Sequence, residues 1–145
     1  MTAYAHRQPG LSGPPRNSVL VVEDELEVLD MMTLFLGFCG YVVHAAVDGV
    51  EAIDMALRVH PRIILMDLMM PRMDGWEATR QLKADARTRD ITIIALSAGS
   101  LGADHIARHA GCDAFISKPC DLDHLGAMLR DFFDGRSHFP TTTFH

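Results

Sequence analysis

The sequence is poor in cysteine: Cys39, Cys112 and Cys120 are the only three, and no two of them are spaced as CxxC. That excludes a zinc ribbon or a disulfide scaffold and makes a reducing cytoplasm the expected compartment. Basic residues are also in short supply. Thirteen Lys and Arg face nineteen Asp and Glu, for a net charge of −6. Nucleic acid is therefore not an expected partner, because phosphate binding requires a basic surface. Residues 31–47 carry no Asp, Glu, Lys or Arg. A spanning helix takes about 20 apolar residues. This run is shorter and is interrupted by Gly37, Gly40 and His44, so it reads as a helix end, a turn and a strand. The first residues lack a basic-then-apolar signal pattern, and no membrane association is expected. What the chain does have is ordinary for a globular domain: 145 residues, 48% hydrophobic and 22% charged, enough for one core without staples.

Residues 1–17, with several Pro and Gly, read as a flexible N-terminal arm, and residues 135–145 as a short C-terminal tail. Between them strand and helix patterns alternate. Strands are expected at Val19–Val22, Tyr41–Ala45, Ile63–Met66, Ile91–Leu96 and Ala114–Ile116. Helices are expected at Glu25–Phe38, Asp48–Val59 (stopped by Pro61), Trp76–Lys83, Leu101–Ala110 and Leu122–Phe133. Leu26, Leu29, Met32 and Leu36 make a core face of the first helix, and Ala52, Ile53, Ala56 and Leu57 one of the second. Short apolar strands alternating with helices imply an α/β fold, a doubly wound parallel sheet covered on both faces.

In such a sheet function gathers at the carboxyl ends of the strands. Glu23 and Asp24 come after the first strand, Asp67 after the third, Ser97 after the fourth and Lys118 after the fifth. A lone Asp at a strand end is mostly a turn or cap residue. All of these groups together are not explained that way. Crowded carboxylates repel and call for a cation, and a few oxygen ligands with open positions suit Mg²⁺. An aspartate beside Mg²⁺ can act as nucleophile toward phosphorus, with Lys118 and the Ser97 hydroxyl balancing charge on the transferred oxygens.

The segments VVEDE, MDLMMPRMDG, LSA and FISKP resemble the receiver domain of two-component response regulators, of the chemotaxis-type stand-alone or the hybrid-kinase kind. The resemblance runs from about Ser18 to Phe133, so a receiver domain over residues 18–134 is expected. It implies a five-stranded (βα)5 flavodoxin-like sheet of order 2-1-3-4-5. It implies that Asp67 accepts a phosphoryl group from a phosphohistidine, on a sensor histidine kinase or a histidine phosphotransfer protein. Mg²⁺ would be held by Glu23, Asp24, Asp67 and the backbone carbonyl of Met69. Ser97 and Phe115 match the switch positions and Lys118 the lysine of the site. Phe115 would turn inward on phosphorylation, following Ser97. Phe115 stands where Tyr is commoner and Ser97 where Thr is. Gly99 and Gly102 lie in a stretch about one residue shorter than usual. A homodimer through the fourth helix, fifth strand and fifth helix is a further expectation. The module would catalyse only its own phosphorylation and dephosphorylation.

The first helix has apolar residues to spare. Leu26, Met31 and Leu34, with Pro119 and Cys120 after the fifth strand, form the expected partner surface, and Phe38 adds to the stripe. Alternatively residues 1–17 cover it. His105 and His109 stand at metal-ligand spacing without a third ligand and read as a solvated face. Met69, Met70 and Met73 read first as gap fillers. Met69 and Gly99 also occupy the positions that flank the hydrolytic water in the resembling family, and neither can orient it, which implies a long-lived phosphoryl group. A haloacid-dehalogenase-type phosphatase would need an acid two residues after Asp67, where Met69 stands. A flavin carrier would need a phosphate loop where Glu23, Asp24 and Glu25 stand. Too few residues follow 135 for an output domain in this chain, which reads as a stand-alone receiver, a relay intermediate or part of a hybrid kinase.

Overall fold

The computed structural model describes residues 17–70, 73–98, 108–118 and 121–135. Strands β1 (Ser18–Val22), β2 (Val42–Ala46), β3 (Ile63–Asp67), β4 (Thr92–Ala98) and β5 (Ala114–Lys118) form one sheet in the order β2-β1-β3-β4-β5. Every neighbouring pair is parallel. Helices α1 (Leu26–Phe38), α2 (Gly49–Val59), α3 (Gly75–Ala84) and α4 (Leu122–Phe133) cover it, and residues 108–110 are helical.

Alternation along each strand sorts the core into two layers. Val19, Val21, Ile63, Leu65, Ile94 and Leu96 pack with Leu29, Met32 and Leu36 of α1 and Leu125 and Leu129 of α4. Leu20, Val22, Ile64, Met66, Ile93 and Ala95 pack with Ala52 and Ala56 of α2 and Ala78 and Leu82 of α3. A strand flanked by helices on both sides has no solvent face, which is why central β3 is apolar from Ile63 to Met66. The second and third helices start where side chains can cap them. Asp48 accepts from the Glu51 N–H at 2.8 Å, and Asp74 from the Glu77 N–H at 2.9 Å.

The structure moves several expected boundaries. The ladder continues past Met66, Leu96 and Ile116, pairing Asp67 with Leu96, Ser97 with Ser117 and Ala98 with Lys118. Asp67, Ser97 and Lys118 therefore sit within the strand ends, not after them. Helix α2 ends because His60 turns into the left-handed region at φ 47°, one residue before Pro61. Leu26 is exposed, as is Leu57, so neither belongs to the core face expected of its helix. Leu26 stands at the first position of α1, one turn before the buried Leu29. Residues 1–16 of the expected arm over 1–17, the body of the Leu101–Ala110 helix, the tail after 135, and Gly99, Gly102, His105, Pro119 and Cys120 lie outside the described residues.

Leu65 is fully buried in the central strand β3. Truncation there loses transfer free energy and leaves a cavity. Leu65→Ala is expected to cost about 2–5 kcal/mol in urea unfolding at unchanged m-value. A loss below about 1 kcal/mol would contradict this packing.

Candidate functional site

The strand order turns at β1, whose neighbours β2 and β3 are reached by connections in opposite directions. A crevice opens at the carboxyl end of a parallel sheet at such a point. Glu23 follows β1 directly, and its N–H donates to the Ala46 carbonyl at 3.1 Å, which fixes the chain where it leaves the sheet. Asp67 closes β3, and the next residue stays tied to β4 through the Leu68 N–H and the Leu96 carbonyl at 3.1 Å. Lys118 closes β5 and reaches across to both: its Nζ donates to Glu23 Oε2 at 2.8 Å and to Asp67 Oδ2 at 3.3 Å. The Met69 N–H donates to Asp67 Oδ1 at 3.1 Å. Ser97 is buried near the end of β4.

One ammonium thus pairs with two carboxylates, and Asp24 adds a third, with an oxygen within 4.8 Å of those of Glu23 and Asp67. Glu23 and Asp67 are buried, and Asp24 is the least buried of the three. Burial pushes the Asp67 carboxyl up to about 7, and the nearby Glu23 carboxylate adds to this. The Met69 N–H and Lys118 pull the other way and do not overcome it. Burial alone would lower the Lys118 ammonium, but the hydrogen bond to Glu23 and the charges of Asp67 and Glu23 hold it above its usual range.

The arrangement fits a hard divalent cation. Glu23 Oε1 is buried with no hydrogen-bond partner, an unusual state for a carboxylate oxygen. The donor set is all oxygen, which suits Mg²⁺ rather than a thiolate- or imidazole-seeking metal. It is the one cluster of three potential ligands found among the described residues.

The remaining expected residues fall as follows. Phe115 is 4% exposed and belongs to the core layer that holds α2 and α3. The Met69 side chain is exposed, standing outside the carboxylate cluster. Met31 and Leu34 are about half exposed, at 48% and 53%, and Leu26 and Phe38 more so, at 64% and 89%, which leaves much of the apolar stripe on α1 open. His109 is exposed, and Cys112 is a half-buried thiol pushed up to about 11, mainly by burial. Sequence reasoning missed Gly75, the first residue of α3. A Cβ there would overlap the Asp67 carbonyl oxygen and come within 2.7 Å of Leu68 Cα. The Asp74-Gly75 pair was the available signal, but only the fold brings that glycine onto the back of Asp67.

A doubly wound sheet with an acidic pair, an aspartate, a hydroxyl and a lysine at its switch-point edge defines a class, the phosphoacceptor receivers. Comparison with known proteins agrees. The family model for the response regulator receiver domain matches residues 19–130. Response regulator Rre1 from a Synechocystis species is 36% identical over 116 residues, 79% of this chain and 50% of that protein. Response regulator MprA from Mycobacterium avium is 39% identical over 113 residues, 77% of this chain and 49% of that protein. Among solved structures, the receiver domain of sensor histidine kinase PA1611 from Pseudomonas aeruginosa has a TM-score of 0.75 at 32% identity. It covers 81% of this chain and 98% of its own, and holds a magnesium ion coordinated in its active site cleft. A response regulator from Chloroflexus aurantiacus reaches a TM-score of 0.76 at 25% identity, over 84% of this chain and 99% of its own. This chain belongs to the response regulator receiver domain family, and it is a receiver of two-component signalling with the flavodoxin-like fold. It spans about half the length of the curated relatives it matches. No helix among the described residues is long and apolar enough to cross a membrane.

The raised Asp67 carboxyl has a thermodynamic consequence in cation-free protein. Its folded value of about 7 lies above the ordinary 3.8, so the folded state binds the extra proton between them. Stability from this group is fully present below about 3.8 and is lost as pH rises through about 7. With a chelator present, Asp67→Asn is expected to be more stable than wild type at pH 8, with the gap narrowing toward pH 5. Equal thermal midpoints at pH 8 would contradict the reading of the carboxylate cluster.

Proposed function

We propose that Asp67 is the phosphoacceptor of this receiver. The observation that carries the reading is Asp67 at the end of β3, buried, within 3.3 Å of Lys118 Nζ and sharing a cluster with Glu23 and Asp24. An Asp67 oxygen attacks phosphorus in line as the bond from phosphorus to the donor's histidine nitrogen breaks. The electron pair stays on that nitrogen, which takes a proton on release. Lys118 Nζ turns from Asp67 Oδ2 to a phosphoryl oxygen, and the Ser97 hydroxyl serves another. Glu23, Asp24, Asp67 and the Met69 carbonyl would hold Mg²⁺, which supplies charge neutralisation for the carboxylates and the incoming phosphoryl group. Burial of Glu23 Oε1 without a partner supports this set.

The working unit is residues 18–134, flanked by segments 1–17 and 135–145. It acts as a cytoplasmic signalling module that catalyses only its own phosphorylation and dephosphorylation. The donor is a sensor histidine kinase or a histidine phosphotransfer protein, met at Leu26, Met31, Leu34, Pro119 and Cys120. The exposed apolar stripe of α1 favours that face. Output passes through the surface built by residues 101–110, β5 and α4, which is also the surface for a homodimer. Ser97 drives the change, and Phe115 responds by repacking within its buried site.

Incubation with acetyl phosphate and Mg²⁺ is expected to add one phosphoryl mass to wild type and none to Asp67→Asn. Asp24→Asn should weaken Mg²⁺ dependence at least tenfold. A phosphoryl mass surviving in Asp67→Asn would overturn the assignment. Lifetime is a separate matter. Met69 has no group that can orient the hydrolytic water, so Met69→Asn is expected to shorten the phosphoryl half-life. A tenfold change corresponds to about 1.4 kcal/mol, within reach of one well-placed polar group. Equal or slower decay in Met69→Asn would exclude that role.

A further inference from the structure

The Met69 N–H holds Asp67, and residues 73–75, which lead into α3, are fastened at two places by two Asp-Gly steps. In each step the aspartate caps a helix and the glycine is the first helical residue. Gly75 fastens them from within, its N–H donating to the Leu68 carbonyl at 3.2 Å. Gly49, 26 positions earlier at the start of α2, fastens them from outside. The Gly49 N–H donates to the Met73 carbonyl at 3.0 Å. A Cβ on Gly49 would stand 2.5 Å from that carbonyl oxygen, 2.9 Å from Met73 Cγ and 3.0 Å from Met73 Cβ. Gly49 is not among the glycines with positive φ, so backbone conformation does not require a glycine. The close approach of Met73 does. Helix α2 cannot yield easily, because its Ala52 and Ala56 are fully buried against the sheet.

We propose that Gly49 is a positioning residue for phosphoryl acceptance, acting through the Met73 carbonyl on the segment that orients Asp67. The proposal rests on the reading of Asp67 as acceptor. An added methyl pushes Met73 away from α2, and the displacement passes through Gly75, two residues on and seated against Asp67 and Leu68, to the neighbouring Met69 N–H that fixes Asp67 Oδ1. A Cβ added to Gly37 in α1 would meet nothing within 4 Å, so that position serves as the control for adding a methyl to a helical glycine.

The test compares wild type, Gly49→Ala and Gly37→Ala by acetyl phosphate phosphorylation with Mg²⁺, thermal unfolding and amide NMR. Gly49→Ala is expected to stay folded, shift the Met69 amide and slow phosphorylation about tenfold or more. Gly37→Ala should match wild type in rate and in the Met69 amide. A folded Gly49→Ala with wild-type rate and an unmoved Met69 amide would overturn the proposal. Should Gly49→Ala fail to fold, Gly49→Ala/Met73→Gly removes two of the three nearest atoms and is read by the same criteria. Wild type needs no substitution: titration with Mg²⁺ alone should shift the Gly49 and Met69 amides together, and a Gly49 amide that stays still would count against the link. Failure of the acceptor reading looks different, since Asp67→Asn would then still be phosphorylated.

Discussion

Three carboxylates are held together against a single ammonium at the carboxyl edge of the sheet, and two of them are buried. Charges so placed repel strongly in a medium less polar than water, and the local response is visible in the raised Asp67 carboxyl. The cluster persists because its members are carried by β1, β3 and β5, whose pairing and core packing are set elsewhere along their length. Stability is thereby invested in a site that is electrostatically unfavourable in itself. Lys118 is the one fixed counter-charge among the described residues of the cluster, and its link to both Glu23 and Asp67 makes it the group most directly affected when either changes partner.

The two-layer core explains how such a site is kept rigid. Each strand sends alternate residues to the α1 and α4 layer and to the α2 and α3 layer, so a one-residue shift of register would exchange the two sets and disrupt the packing of both. The helices that begin at this edge, α2 and α3, are capped by Asp48 and Asp74 and press glycines against the segment behind Asp67. Thr88 closes the opposite side of α3, its hydroxyl donating to the Leu82 carbonyl at 2.7 Å. Lys83 of α3 reaches Asp113 at 2.9 Å, just before β5, and ties that helix to the strand that ends in Lys118.

Most of the sheet was legible from sequence because a strand buried on both faces must be apolar throughout, as Val19–Val22 and Ile63–Met66 are. The site was legible because charged and polar residues stand at the ends of those runs. What the pattern could not give was where each ladder stops. Asp67 and Lys118 look like loop residues by polarity, yet they continue the pairing. Leu26 and Leu57 fit the helical period but fall where neither layer covers them. Phe115 was placed by family resemblance, and its burial depends on packing that no local pattern reports. Gly49 and Gly75 are unremarkable as letters, and their contacts follow from the way α2 and α3 meet the segment after β3.

Phosphoryl acceptance at Asp67 means that an acyl phosphate forms there, and hydroxylamine reads that bond directly. It converts an acyl phosphate to a hydroxamate and leaves a phosphate ester on serine intact. Protein treated with acetyl phosphate and Mg²⁺, then hydroxylamine, is digested and the modified residue is located by fragmentation. The expected result is a hydroxamate at Asp67 that requires both donor and Mg²⁺. A hydroxamate at Glu23 or Asp24 instead, or a phosphoryl group that resists hydroxylamine on Ser97, would contradict it.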